Sequence, residues 1–118
     1  MIPAGMQVFV ATQPVDLRAG FERLTGLARE RIGYELSESA LFVFFGRRRD
    51  TVKIVFVDGT GRCLFHKKLH RGTFAPLDAL APDATHVELD VAAFEALLDG
   101  LPIAPEAPVS TKRPRRLH

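Results

Sequence analysis

The segment from Leu41 to Arg71 constrains the fold of this 118-residue chain more than any other part of it. Its sequence is LFVFFGRRRDTVKIVFVDGTGRCLFHKKLHR. Three runs rich in β-branched and aromatic residues, LFVFF, TVKIVFV and CLFHKKL, are separated by Gly46 and by the turn Asp58-Gly59-Thr60-Gly61, which predicts three consecutive strands. Because the connections are short, we predict an antiparallel meander whose second turn uses glycine at positive φ.

The N-terminal part predicts one strand and one helix. Gln7–Ala11 is a strand candidate that ends before Pro14, which lacks a backbone donor. Leu17–Arg31 shows apolar residues at three- and four-residue spacing, which predicts an amphipathic helix. Asp16 is the predicted N-cap and Gly33 the predicted stop.

A second, shorter helix is predicted near the C-terminus. His86–Leu89 is a possible strand, Asp90 a predicted N-cap, Val91–Leu98 an apolar-faced helix, and Gly100 its stop. The expected fold class is α+β: an antiparallel β-meander of three to five strands packed with an N-terminal helix and a short C-terminal helix. Residues 1–101 are predicted to form a single domain, and the Pro-rich basic tail 102–118 is predicted to be disordered.

Charge is strongly segregated along the chain, although the net charge is only +2. Residues 47–71 hold eight Lys or Arg against two acids, residues 72–106 hold seven acids and no Lys or Arg, and residues 107–118 hold four basic residues. This alternation indicates a basic surface and an acidic surface on one small domain.

The basic meander favours contact with nucleic-acid phosphates, because guanidinium groups bind phosphate oxygens bidentately and neutralised phosphates release counterions. The alternative is that these charges bind nothing, and that they belong to a solvated hairpin where they keep a sheet edge soluble. The candidate DNA-binding residues are Arg47, Arg48, Arg49, Lys53, Lys67, Lys68 and Arg71. A basic arm that binds DNA, or else merely solubilises the chain, is formed by Lys112, Arg113, Arg115 and Arg116.

No set of residues predicts catalysis or a metal centre. Two-metal chemistry needs paired carboxylates, but Asp16 and Asp90 are expected as helix caps, Asp58 as a turn residue and Asp83 as a loop residue. We therefore expect no enzyme activity, no metal and no cofactor.

The histidines and the single cysteine are equally weak candidates. His66 and His70 share a strand face with Lys68 between them, which is too few ligands and an unsuitable neighbour for zinc. Cys63 lies three residues from His66, so the two side chains point to opposite faces of a strand. The absence of any run of 18 apolar residues and of a signal-like N-terminus leads us to expect a cytoplasmic protein without membrane contact.

The ordered succession of several short segments resembles one known family. The chain is similar over roughly residues 8–101 to the small accessory proteins called TnpB, encoded by the second open reading frame of insertion sequences of the IS66 family. The segments that carry the resemblance are Pro14-Val15-Asp16-Leu17-Arg18-Ala19-Gly20-Phe21, Ala40-Leu41-Phe42-Val43-Phe44, Gly46-Arg47-Arg48, Lys53-Ile54-Val55, Asp58-Gly59, Cys63-Leu64, Lys67 and Arg71-Gly72-Thr73-Phe74.

The resemblance implies a role in the transposition of a bacterial mobile element, beside a separate transposase that carries the acidic catalytic residues. This chain departs from the family in having no tryptophan. We expect a non-catalytic accessory protein that binds DNA backbone through the basic hairpin. The alternative is a protein adaptor that docks on the transposase through the acidic segment 78–106 or through the hairpin itself, and the oligomeric state is left open.

Overall fold

The computed structural model describes residues 6–77, 84–101 and 109–110 of the chain. They form one mixed sheet with the strand order β4-β3-β2-β1-β5-β6 and two α-helices. The elements are β1 Gln7–Ala11, α1 Phe21–Leu27, β2 Ala40–Phe45, β3 Thr51–Val57, β4 Arg62–Lys68, β5 His86–Leu89, α2 Val91–Leu98 and the two-residue β6 Val109–Ser110.

The predicted antiparallel meander is present in β2, β3 and β4, but the sheet as a whole is not antiparallel. β1 pairs with β2 in parallel, with Val8 opposite Leu41 and Val10 opposite Val43. The first helix is therefore internal rather than N-terminal, since α1 lies in the connection between these two strands. Parallel neighbours need such a long crossover, and residues 12–39 supply it.

The first helix is shorter than the sequence pattern predicts, and Asp16 is not its cap. α1 begins at Phe21, where the N-cap is Gly20 in an extended conformation without a side-chain cap. The Val15 N–H donates to the Phe45 carbonyl at 2.9 Å, which holds the preceding loop against the end of β2. The last turn is π-helical over Ala28–Ile32, and it ends at the predicted stop, Gly33, with φ of 87°.

Both faces of the sheet are covered, so the central strand β2 is buried along its whole length. Continuous apolar runs are typical of strands that are buried on both faces. On the α1 face the core contains Phe9, Leu24, Leu27, Ile32, Phe42, Phe44 and Val55. On the α2 face it contains Val8, Val10, Val43, Phe45, Val52, Ile54, Phe74, Leu77, Val87, Phe94 and Leu97.

The second helix forms where the sequence predicts it. The Asp90 carboxylate accepts from the Ala93 N–H at 2.8 Å, which satisfies a free amide of the first turn. Gly100 follows the helix with φ of 75°, in the left-handed region that favours glycine.

The turn between β3 and β4 differs from the expectation. Positive φ within the described residues is found at Arg49 and three glycines, Gly33, Gly72 and Gly100, and not at Gly59 or Gly61. The Asp58 carboxylate closes the turn instead, because it accepts from the backbone N–H groups of Thr60 and Gly61, both at 2.9 Å. The same bonds, that of Thr60 first, lower the pKa of Asp58.

Much of the predicted tail, including its four basic residues at positions 112, 113, 115 and 116, lies outside the described residues, as does Asp83. Within that tail, Val109–Ser110 pair antiparallel with Leu89 and Glu88 of β5. The disorder of the remaining tail and the domain boundary at residue 101 stay predictions. In the described part of the chain, no helix has the length and apolar character needed to cross a membrane.

Candidate nucleic-acid interface

Two basic loops meet at one end of the sheet. The turn Gly46–Asp50 joins β2 to β3, and residues 66–73 end β4 and lead away from it. The Leu69 N–H donates to the Asp50 carbonyl at 2.8 Å, and the Phe74 N–H donates to the Arg49 carbonyl at 2.6 Å. These bonds hold the loops side by side, so charges that are separated in sequence share one surface, which we call the basic end.

The basic end carries a dense set of exposed cations. Arg47 and Arg48 project from the turn, and Lys68 and Arg71 project from the neighbouring segment. Residues 47–50 and 66–73 together hold six Lys or Arg and one acid, Asp50. Since like charges repel, this concentration favours a polyanionic partner.

Arg49, a candidate phosphate ligand in the sequence, faces the protein instead. It has φ of 58°, which is rare for a residue with a side chain. Its Nε and Nη2 donate to the carbonyls of Phe74 and Ala75 at 3.3 and 2.5 Å, and its guanidinium carbon lies 4.7 Å from the ring centre of Phe45. Arg49 therefore anchors the segment that inserts Phe74 into the core.

Lys53 and Lys67 are also bound to backbone carbonyls. Lys53 Nζ donates to the Ala19 carbonyl at 3.0 Å, across the α1 face. Lys67 Nζ donates to the Leu98 carbonyl at 2.7 Å, at the last turn of α2. A cation at a helix C-terminus is stabilised by the free carbonyls there.

The sheet divides the predicted set between its two faces. Lys67 is opposite Val52, which is in the α2-face core, and Lys68 is opposite Thr51. Because successive side chains on a strand alternate, Lys67 and Lys68 lie on opposite faces. Lys53 lies on the same face as Lys68, but it is half-buried and bonded to the Ala19 carbonyl. The predicted set thus divides into four exposed residues, Arg47, Arg48, Lys68 and Arg71, and three half-buried residues bound to backbone carbonyls, Arg49, Lys53 and Lys67.

Three further arginines, outside the predicted set of DNA-binding residues, lie beside the basic end. Arg18, Arg23 and Arg31 line a depression together with Arg47. The four-residue spacing of Arg23, Leu27 and Arg31 indicates that Arg23 and Arg31 lie on one side of the helical segment, and this spacing was the signal in the sequence. Arg18 lies in the loop before the helix.

An apolar groove lies on the α2 face, away from the basic end. It has a volume of about 530 Å³ and its apolar lining includes Met6, Leu41, Ile54, Phe56, Phe65, Phe94 and Leu98. On the edge strand β4, Phe65 lines the groove and is 41% exposed, whereas Leu64, which is 39% exposed, is opposite Val55 and lies on the α1 face. The sequence pattern did not predict this groove.

The residues considered as catalytic or metal-binding candidates do not form a common site in the described part of the chain. Within the described ranges no group of three or more His, Cys, Asp or Glu is placed to hold a metal ion. Asp16 binds Arg18 and Asp90 caps α2. Partial burial, and then the nearby Asp58 carboxylate, raise the pKa of the Cys63 thiol, which disfavours the nucleophilic thiolate.

Comparison with known proteins gives one family match over most of the chain. The family described as IS66 Orf2 like protein matches residues 6–107. This range includes strands β1 to β5, both helices and all seven predicted cations of the hairpin, and it ends before β6. No solved structure matches the chain.

Two similar proteins come from Sinorhizobium fredii (strain NBRC 101917 / NGR234), and both are described as uncharacterized. The protein y4hO is 40% identical over 76 residues, which cover 63% of this chain and 66% of the relative. The protein y4jC is 36% identical over 70 residues, which cover 59% of this chain and 60% of the relative. The matched regions thus span slightly less than two thirds of each relative.

Proposed function

The chain belongs to the family of IS66 Orf2-like proteins, and from that premise we propose that it is a non-catalytic accessory protein for the transposition of a bacterial insertion sequence. Its partners in this proposal are the DNA of the element and the transposase of the same element. The protein contacts DNA through the phosphate backbone, at the basic end.

The observation that carries this proposal is the grouping of Arg47, Arg48, Lys68 and Arg71. All four are exposed, and backbone hydrogen bonds join the loops that bear them. Arginine and lysine at such positions can neutralise several phosphates of one duplex. Contacts of this kind position a protein on DNA and supply affinity, whereas sequence preference requires contacts with base edges.

A fluorescence-anisotropy titration tests the binding itself. The ligands are a labelled duplex from the element end and a scrambled duplex, each at two salt concentrations. We expect binding to both duplexes that weakens steeply as salt rises, because bound counterions are released. Absence of binding at low salt would refute DNA contact.

The position of the contact is tested with the Arg48→Ala/Arg71→Ala double variant. Loss of two phosphate contacts should reduce the slope of log K against log salt by about 1.8. The matched control is Arg29→Ala/Arg62→Ala, which removes the same charge from two exposed ion pairs, with Glu35 and Glu22. Equal loss in both variants would show a general charge effect and no interface at the basic end.

The alternative function is that of a protein adaptor for the transposase. The apolar groove, with the exposed Phe65 of edge strand β4 in its lining, favours it, because exposed apolar surface and an open strand edge both suit a protein partner. Capture of the transposase in the presence of nuclease distinguishes the two functions. A complex that survives nuclease supports the adaptor, and a complex that disappears was bridged by DNA.

A further inference from the structure

Four of the nine described residues that line the depression beside the basic end are arginines. It has a volume of about 520 Å³ and lies between the loop that precedes α1, the helix itself and the first residue of the Arg47–Arg49 turn. Arg18, Arg23, Arg31 and Arg47 line it, and Asp16 is the one acid among its described lining residues. We call it the arginine pocket.

The single carboxylate in the pocket is already occupied. Asp16 accepts from Nε and Nη2 of Arg18 at 3.0 and 2.7 Å, and also from the Arg18 backbone N–H at 3.0 Å. These hydrogen bonds, those of the Arg18 side chain first, lower the pKa of Asp16 to about 2. Asp16 therefore stays ionised and paired with Arg18 at neutral pH.

The other three guanidinium groups form no hydrogen bond with Asp16, although the charge of Arg47 also helps to lower the pKa of Asp16. Among the described residues Arg23, Arg31 and Arg47 form no ion pair. Nη1 of Arg31 is buried and has no hydrogen-bond partner in the described part of the chain. A buried charged donor without an acceptor costs free energy. Because Arg31 lines the pocket, rotation of its guanidinium toward a bound anion would give this donor an acceptor.

The backbone around the pocket is held in place before any ligand arrives. Lys53 Nζ fixes the Ala19 carbonyl, and the Val15 N–H is bonded to the end of β2. Arg31 lies within the π-helical turn, where the Gly33 N–H donates to the Ala28 carbonyl at 2.9 Å. Single π-helical turns occur frequently at functional sites.

We propose that the arginine pocket binds a phosphomonoester dianion, with Arg23, Arg31 and Arg47 as its ligands. Three uncompensated guanidinium groups favour a dianion over the singly charged phosphodiester of a DNA backbone. A volume of about 520 Å³ also admits the attached sugar. The ligand is either a phosphorylated 5′ end of DNA or a free nucleotide, and both present the same group.

Binding is measured by titration calorimetry with inorganic phosphate, AMP, a 5′-phosphorylated duplex and the same duplex with a 5′-hydroxyl. We expect saturable binding of AMP, of the phosphorylated duplex or of both. A phosphorylated duplex that binds more tightly than the hydroxyl duplex identifies a DNA end, whereas AMP binding without an effect of duplex phosphorylation identifies a nucleotide. Failure of all phosphomonoesters to bind would overturn the proposal.

The residues are tested with Arg31→Met, which removes the unsatisfied group while preserving most of the side-chain length. We expect phosphomonoester binding to weaken about tenfold or more, whereas the melting temperature without ligand stays the same or rises. Arg23→Gln, at an exposed residue, gives a second variant with the same expected loss. The control is Arg29→Met, whose guanidinium binds Glu35 outside the pocket. Equal losses in the control would overturn the assignment.

This inference is separable from DNA binding by the basic end. Arg47 belongs to both surfaces, but Arg48 and Arg71 do not line the pocket, and Arg23 and Arg31 are outside the basic end. Salt-dependent binding of both duplexes with equal affinity, together with no binding of AMP, would support the proposed function and refute the pocket. Binding of AMP without binding of either duplex would support the pocket and refute DNA contact at the basic end.

Discussion

The cations of the meander fall into two groups that look alike in sequence and differ in structure. Arg49, Lys53 and Lys67 donate to backbone carbonyls of distant segments, whereas Arg47, Arg48, Lys68 and Arg71 project from the basic end. We call them the anchored and the exposed group. The first group is half-buried and held by bonds within the fold, whereas the second is exposed and better placed to bind a phosphate. Net charge alone is thus a poor guide to a binding surface.

The largest loss of stability is expected for Arg49→Ala. The change removes two hydrogen bonds to the 74–75 segment and the contact with Phe45, and it loosens the buried Phe74. We expect a loss of about 3 kcal/mol in the free energy of unfolding, measured in urea. The neighbouring Arg48→Ala should change it by less than about 0.5 kcal/mol. Equal values for the two variants would remove the distinction between anchored and exposed arginine.

A smaller loss of stability is expected when either anchored lysine is replaced. Lys53→Met and Lys67→Met keep the aliphatic stem and leave the carbonyls of Ala19 and Leu98 without their donors. Each should lower the free energy of unfolding by about 1 kcal/mol. Lys68→Met, on exposed surface, is the control and should have no measurable effect. Unchanged stability of both anchored variants would show that water replaces these bonds without cost.

His86 extends the comparison to a group that the fold keeps uncharged. It is only 2% exposed, lies against Phe9, and has its pKa lowered by burial. The unfolded chain takes up the proton first, at its ordinary pKa of about 6.5, so stability should fall as pH decreases below that value and level off below the folded pKa.

The slope of this fall cannot exceed about 1.4 kcal/mol per pH unit for one proton. Urea unfolding at several pH values measures it, with His86→Phe expected to flatten the dependence. The control is His66→Gln, at an exposed residue of β4, which keeps His86 and should therefore retain the pH dependence of stability. A wild-type curve that is flat between pH 7 and 5 would contradict the assignment.

The meander was predictable because its contacts are local, and the α2 cap because Asp90 needs only its own helix. The parallel pairing of β1 with β2 was missed, since it joins strands separated by a long connection. Two signals pointed to it: the crossover-length segment 12–39 and the continuous apolar run of β2. An alternating pattern would have indicated one solvated face instead.

The site was predictable as a concentration of charge but not as a surface. The direction of each cation depends on contacts between segments that are distant in sequence, as the bond from Arg49 to Ala75 shows. The left-handed conformation of Arg49 is another consequence of this tertiary contact, and no local pattern indicates it. Strand alternation alone, by contrast, already separates Lys67 from Lys68.

The most direct test of the two-group account compares Arg48→Ala/Arg71→Ala with Lys53→Met/Lys67→Met, because both remove two positive charges. Stability and the salt slope of DNA binding are measured on each. The account predicts a slope reduced by about 1.8 with unchanged stability for the exposed pair, and lost stability with an unchanged slope for the anchored pair. Equal reduction of the slope in both variants would contradict it, because binding would then follow total charge rather than the basic end.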